Sequence, residues 1–341
     1  MEKLSTIKSK LLVVMILMCV TGVVAIAQQS NSNEDYSAYM LEVRKLNQTL
    51  AHLPPSPSAL TNEGLAKARA GMLATIDTNT VLKPAVKYIQ GPAAKLALYV
   101  YKPDTIRAVV LSIHGGGWNV GSPLNDAQLN DRMARACGVA VVSPDYRLAP
   151  EAPFPACIED CKAAARWLVM NAQIEFGTDK IIVSGNSAGG HLAALTTLFI
   201  RDTLKAINRV KGVNLVYGVY DLSRTPSNRL ANDTVFLPKR IMDDTWKLVF
   251  GTWTTEQLQQ PRYSPLYANL HGLPPAMFTI GTADPLADDT YFMEARWRMA
   301  GNKTYLAVYP ESPHGVDIFP TQLAKVAREK MHQWINDLLK K

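Results

Sequence analysis

Cysteine is scarce in this chain of 341 residues, which has four. Cys157 and Cys161 stand one helical turn apart, and no His or Cys lies at metal-ligand spacing from them, so no metal site is expected. Buried thiols are the expected state. Charge is also thin, at 19% of residues with a formal net charge of +7. The basic residues are scattered among acidic ones, with no Lys/Arg block interleaved with aromatics, which argues against a nucleic-acid partner. Internal repeats and low-complexity tracts are lacking too, which leaves no basis for a solenoid. What remains is a chain with 48% hydrophobic residues, enough for one large core with additional covering segments.

A basic start, an apolar stretch from Leu11 to Val24 and a small-x-small site at Ala25-Ile26-Ala27 form the pattern of a secretory signal over residues 1–27. The expectation is a periplasmic or secreted protein with no stable membrane insertion after cleavage; an uncleaved N-terminal membrane anchor is the other reading. Cleavage would leave a net charge of +5, by removing Lys3, Lys8, Lys10 and Glu2. It would also leave three cysteines, 137, 157 and 161, in an oxidising compartment. Lipid attachment at Cys19 is disfavoured by the bulky Met18 before it.

From residue 28 to about 80 the pattern is helical and polar, broken by the prolines of "LPPSPSAL". These helices precede any strand and are expected to form a cap segment. The remainder, 81–341, alternates apolar runs with helical patterns: "VKYI", "KLALYVYKP", "IRAVVLSIHGGG", "GVAVVSPDY", "KIIVSG", "VNLVYGVYD", "PAMFTIGTAD" and "TYLAVYPE". Alternation of this kind predicts an α/β fold with a mostly parallel, doubly wound sheet of eight strands and helices on both faces. No helix separates the first two strands, so they should pair antiparallel at one edge. Between 221 and 262 the alternation lapses, as for a cap or an insertion over the sheet edge.

Gly185-Asn186-Ser187-Ala188-Gly189 fits G-x-S-x-G between a buried strand and a helix. A corner this tight lifts the Ser187 hydroxyl clear of the sheet, and the glycines remove side chains that would collide. "SIHGGGW" at 112–118 offers backbone N–H groups, so Gly116, Gly117 and Ala188 are candidate donors to an oxyanion. A phosphate loop competes poorly, because neither Gly-Lys-Ser/Thr nor G-x-G-x-x-G follows. A serine nucleophile needs a base oriented by a carboxylate. Asp284 and His314 end successive downstream strands, on the edge where open sheets bind ligands. Asp288 and Asp289 suit the start of a helix instead. His114 is expected to anchor its loop, His191 to pack against the sheet, His271 to lie in a loop and His332 to be solvated on the last helix. Trp118 is a candidate substrate-binding pocket wall, with a core aromatic as its alternative.

Together "HGGGW", "DYRLAPEAPFPA", "GNSAGG", "SPL", "DPLADD" and "HG" resemble the hormone-sensitive-lipase family of α/β-hydrolase esterases, the bacterial type IV group, from about Val86 onward. The resemblance implies a carboxylic-ester hydrolase with Ser187, Asp284 and His314 as triad, the HGGG loop as oxyanion hole and the N-terminal helices as cap over the pocket. It departs at three positions: Asn186, where the family has Asp or Thr; Ala152, where it has His; and Val316, where it has an aromatic that shapes the rim. The expected function is an exported carboxylesterase acting on small-molecule esters with short acyl chains through an acyl-enzyme, with no cofactor. A deacetylase of acetylated carbohydrate and a non-catalytic ligand-binding homologue are the alternatives. Oligomeric state is left open, a homodimer included.

Overall fold

A computed structural model describes residues 29–30, 34–53, 57–233 and 236–340. The secretory segment 1–27 and Cys19 lie outside the described residues. A two-residue strand, β1 (Gln29–Ser30), comes first in the chain. The eight apolar runs then form β2 (Ala85–Gln90), β3 (Lys95–Tyr101), β4 (Val109–Ile113), β5 (Ala140–Pro144), β6 (Ile181–Asn186), β7 (Val210–Val216), β8 (Ala276–Gly281) and β9 (Thr304–Tyr309). All nine join one sheet in the order β1-β9-β8-β7-β6-β4-β5-β3-β2. The expected eight strands are thus extended by β1, which pairs parallel to β9 through Gln29 opposite Tyr305.

Every pairing from β1 through β5 is parallel, whereas β3 runs antiparallel to both β5 and β2. β4, β5 and β8 are buried along their whole length, as unbroken runs of apolar residues require when helices cover both faces. The edge strand β2 is instead mostly exposed, with Val86 and Tyr88 open to solvent. On one face α4 (Ala156–Phe176) packs on α5 (Ala188–Asp202), and on the other α3 (Ala127–Cys137) packs on α10 (Gln322–Leu338). α9 (Ala287–Met299) connects β8 to β9. Cys137, Cys157 and Cys161 are buried and free. Burial pushes the first two thiols up to about 12.

Two segments outside this frame carry further helices and contribute residues to the cavity beside Ser187. The N-terminal arm forms α1 (Met40–Ala51) and α2 (Asn62–Ala74), the latter capped by the Thr61 hydroxyl accepting from Gly64 N at 3.0 Å. Arg44 of α1 grips Glu311 through Nε and Nη2, at 2.8 and 2.6 Å. Arg69 of α2 grips Glu151 bidentately at 2.7 Å and donates to the carbonyls of Asn119 and Ala149. The second segment follows β7, where the alternation lapses, and carries α6 (Pro226–Leu230), α7 (Lys239–Phe250) and α8 (Thr255–Leu258). No described helix is long and apolar enough to cross a membrane.

Candidate active site

β6 ends at Asn186 and α5 begins at Ala188, so the chain reverses at Ser187 alone. Its backbone takes φ +54° and ψ −123°, a conformation that side chains other than glycine rarely adopt. Hydrogen bonds hold it there: Ser187 N donates to Val216 O at 2.9 Å, and Ser187 O accepts from Gly190 N at 2.9 Å. The helix comes so close to β4 that a Cβ on Gly189 would stand 2.0 Å from Ile113 O. Only a glycine permits that approach.

The structure brings Ser187, His314 and Asp284 together. His314 Nε2 lies 3.0 Å from Ser187 Oγ, and His314 Nδ1 lies 2.8 Å from Asp284 Oδ2. Asp284 and His314 are both buried, and Asp284 Oδ1 accepts from Leu286 N at 2.8 Å, which fixes the carboxylate. A carboxylate facing Nδ1 assigns the ring proton to that nitrogen and leaves Nε2 free to accept from the serine. The loop after β4 closes on the same spot. Gly116 sits at φ +112°, where a Cβ would meet Val120 O at 2.1 Å, and its carbonyl accepts from Asn119 N and Val120 N. Gly116 and Gly117 border the same cavity as Ser187 and Ala188. The Ala188 N–H belongs to the first turn of α5, whose amides have no partner within the helix.

That cavity encloses about 980 Å³. Lys67 and Met72 reach it from α2, Met242 and Trp246 from α7, and Ile318 and Phe319 from the loop after β9. Trp118 borders the cavity and is only 1% exposed. Its indole N–H donates to His191 Nδ1 at 3.2 Å, and its ring meets Trp246 and Phe250 edge-on.

The remaining candidates take structural places. His191 is buried, with its other ring nitrogen against Tyr263 O, and burial holds it down to about 4. His114 is buried too, stacked on Tyr146 with ring centroids 4.1 Å apart. His271 is exposed in its loop. His332 departs from expectation, because it is half-buried rather than solvated. Burial and the charges of Arg328 and Arg132 lower it to about 4. Asp289 does more than favour a helix start: buried, it accepts from Tyr220 N at 2.6 Å, Asp221 N at 2.9 Å and Thr225 Oγ1 at 2.7 Å, pinning the loop after β7. Val316 is buried and is not among the residues lining the cavity; Phe319, three residues on, lines it and meets Phe236 edge-on.

Three polar residues near Ser187 escaped the sequence reading: Asp126, Tyr217 and Asp317. Asn186 Nδ2 donates to Asp126 Oδ1 at 3.3 Å. Burial, reinforced by the charge of Asp317, pushes Asp126 up to about 7. A carboxylate at 186 would face Asp126 with like charge, whereas the amide donates to it. Tyr217, at the strained φ of +37°, donates to Asp317 and packs against His314. No motif flagged these residues, since they come from three distant segments. Among the described residues no cluster of three or more His, Cys, Asp or Glu side chains is placed to hold a metal ion.

A family model described as alpha/beta hydrolase fold matches residues 110–318. The chain is 34% identical over 242 residues to the carboxylic ester hydrolase LipN of Mycobacterium tuberculosis, covering 67% of this chain and 62% of that protein. It is 36% identical over 234 residues to the carboxylesterase NlhH of the same organism, covering 63% and 69%. The chain therefore spans a little under two thirds of the first of these relatives. Among solved structures, an esterase of Pyrobaculum calidifontis superposes with a TM-score of 0.75 at 29% identity, covering 86% of this chain and 98% of the other. A hormone-sensitive lipase from a metagenome library does so with a TM-score of 0.72 at 27% identity, covering 87% and 98%. With the elbow, the glycine loop and these likenesses in agreement, the chain belongs to the α/β-hydrolase fold family, in its hormone-sensitive-lipase-like esterase branch.

Proposed function

We propose that this protein is an exported carboxylesterase that hydrolyses short-chain acyl esters through an acyl-enzyme on Ser187. The observation that carries the reading is the run of hydrogen bonds from Asp284 through His314 to Ser187 Oγ, ending in a cavity bordered by the glycine loop. Ser187 Oγ attacks the ester carbonyl while His314 Nε2 takes its proton, and Asp284 stabilises the imidazolium. The oxyanion so formed is held by the N–H groups of Gly116, Gly117 and Ala188, each donor contributing about 3 to 4 kcal/mol by analogy with known cases. Collapse breaks the bond to the alcohol oxygen, which leaves with the His314 proton. Water, deprotonated by the same imidazole, then attacks the acyl carbon, and as the bond to Ser187 Oγ breaks the imidazolium returns the proton to that oxygen, releasing the acid.

The relatives named as ester hydrolases support the bond type. The arm and the α7 segment support a walled pocket suited to short acyl groups, and the basic, apolar and small-residue pattern of 1–27 supports export. Release of p-nitrophenol from esters of two to sixteen acyl carbons, by the protein and by a folded Ser187→Ala variant, tests the reading. Turnover confined to the unsubstituted protein and falling with chain length is expected. Equal turnover by the variant, or a preference for sixteen carbons, overturns the nucleophile or the chain-length assignment respectively. Export is checked by a mature N-terminus at Gln28.

A further inference from the structure

Arg132 of α3 and Arg328 of α10 both line the cavity that holds Ser187. They stand close enough for the charge of Arg132, after burial, to lower Arg328. Several other arginines pair with carboxylates, among them Arg44 with Glu311, Arg69 with Glu151, Arg135 with Asp131 and Arg224 with Asp243. Among the described residues these two make no ion pair within 4.0 Å. Arg328 donates instead to the backbone carbonyl of Asp317. Of the acids nearest to it, Asp317 attracts it by charge while accepting from Tyr217 Oη through one carboxylate oxygen, and Glu329 faces Lys325 at 3.8 Å. Asp126, on the same wall, is pushed up to about 7 and so carries a proton for much of the time near neutrality.

Two like charges lining one cavity, one of them partly buried, repel each other, and the arrangement is relieved when an anion bridges them. A guanidinium presents its donors as a planar fork that matches the two oxygens of a carboxylate. The α7 side of the cavity is apolar, formed by Leu237, Ile241, Met242 and Trp246. We propose that Arg132 and Arg328 bind a carboxylate carried by the substrate away from its scissile bond, so that the preferred esters join an apolar group to a free acid. Half-esters of dicarboxylic acids and esters of hydroxy acids have this chemistry. The inference rests on the ester-hydrolase reading and adds the substrate class.

The test uses two matched pairs, each with a neutral and an anionic member. The acyl pair is p-nitrophenyl butyrate and mono-p-nitrophenyl glutarate; the alcohol pair is phenyl butyrate and 4-carboxyphenyl butyrate. For each, the ratio of kcat/KM, anionic over neutral, is measured for the protein, Arg132→Gln and Arg132→Glu. Arg132 is exposed, so its replacement leaves the core intact. In at least one pair the ratio should fall about tenfold in Arg132→Gln, the size expected for a lost charge-assisted bond, and further in Arg132→Glu. Neutral esters turned over with the ratio unchanged across all three proteins in both pairs would sink the carboxylate site and leave the hydrolase reading standing. Absence of turnover on all four esters would sink both.

Discussion

Tyr217 Oη donates a 2.6 Å hydrogen bond to the buried Asp317 carboxylate, while the Tyr217 ring stands edge-on against His314 with centroids 4.7 Å apart. The base is therefore held from two sides, by Asp284 at Nδ1 and by this ring at its face. Tyr217→Phe keeps the ring and removes the bond that fixes it, leaving a buried carboxylate with one donor fewer. The expected result is a kcat lower by roughly tenfold with KM little changed, because misplacing a catalytic group acts on the chemical step. Steady-state kinetics on p-nitrophenyl butyrate check this, and a change confined to KM would contradict it.

Asp126 carries a sign that can be followed with pH. Its folded value, about 7, lies above the ordinary 3.8, so the folded state holds a proton that the unfolded chain has lost between those limits. Stability from this group is fully present below about pH 4 and is lost as pH rises through 7. Asp126→Asn cannot ionise, so its melting temperature relative to the unsubstituted protein should climb by several degrees between pH 4 and pH 8. A difference that stays flat would remove Asp126 as a titrating group.

Asp289 gathers two backbone amides and the Thr225 hydroxyl in the core. Asp289→Ala leaves these donors buried without a partner, at a cost of about 3 kcal/mol or more. Urea denaturation should register that loss. A cost below about 1 kcal/mol would mean that the loop after β7 finds other partners.

Gly116→Ala meets both a positive φ and the Val120 carbonyl, so the loop must shift. Activity should fall by about 10² to 10³, the range seen on loss of an oxyanion donor, with secondary structure retained by circular dichroism. Unchanged turnover would take the glycine loop out of the chemistry.

The convergence of Ser187, Asp284 and His314 was legible because each follows a run of apolar residues, and parallel strands deliver their ends to one edge of the sheet. The antiparallel edge pair β2 and β3 was legible from the absence of a helix between them. Other features depend on three-dimensional packing that no local pattern records. β1 is two residues long, too short to show a period, and exists by pairing with β9. The partial burial of His332 depends on how α10 meets α3, and the clustering of Arg132, Arg328, Asp126 and Asp317 on the fold of segments up to about two hundred residues apart. Position 316 holds Val where the resembled family has an aromatic, and its burial, with Phe319 lining the cavity instead, follows from how the loop packs.

The central claim is that Ser187 is a nucleophile activated by His314. Incubation with diethyl p-nitrophenyl phosphate, followed by mass spectrometry of the digested protein, tests it most directly. The account predicts a single diethylphosphoryl group on Ser187, uptake in step with loss of esterase turnover, and no uptake by Ser187→Ala or at far slower rate by His314→Asn. Phosphorylation of a different residue in step with inactivation, or an unmodified Ser187 in an inactivated protein, would contradict it.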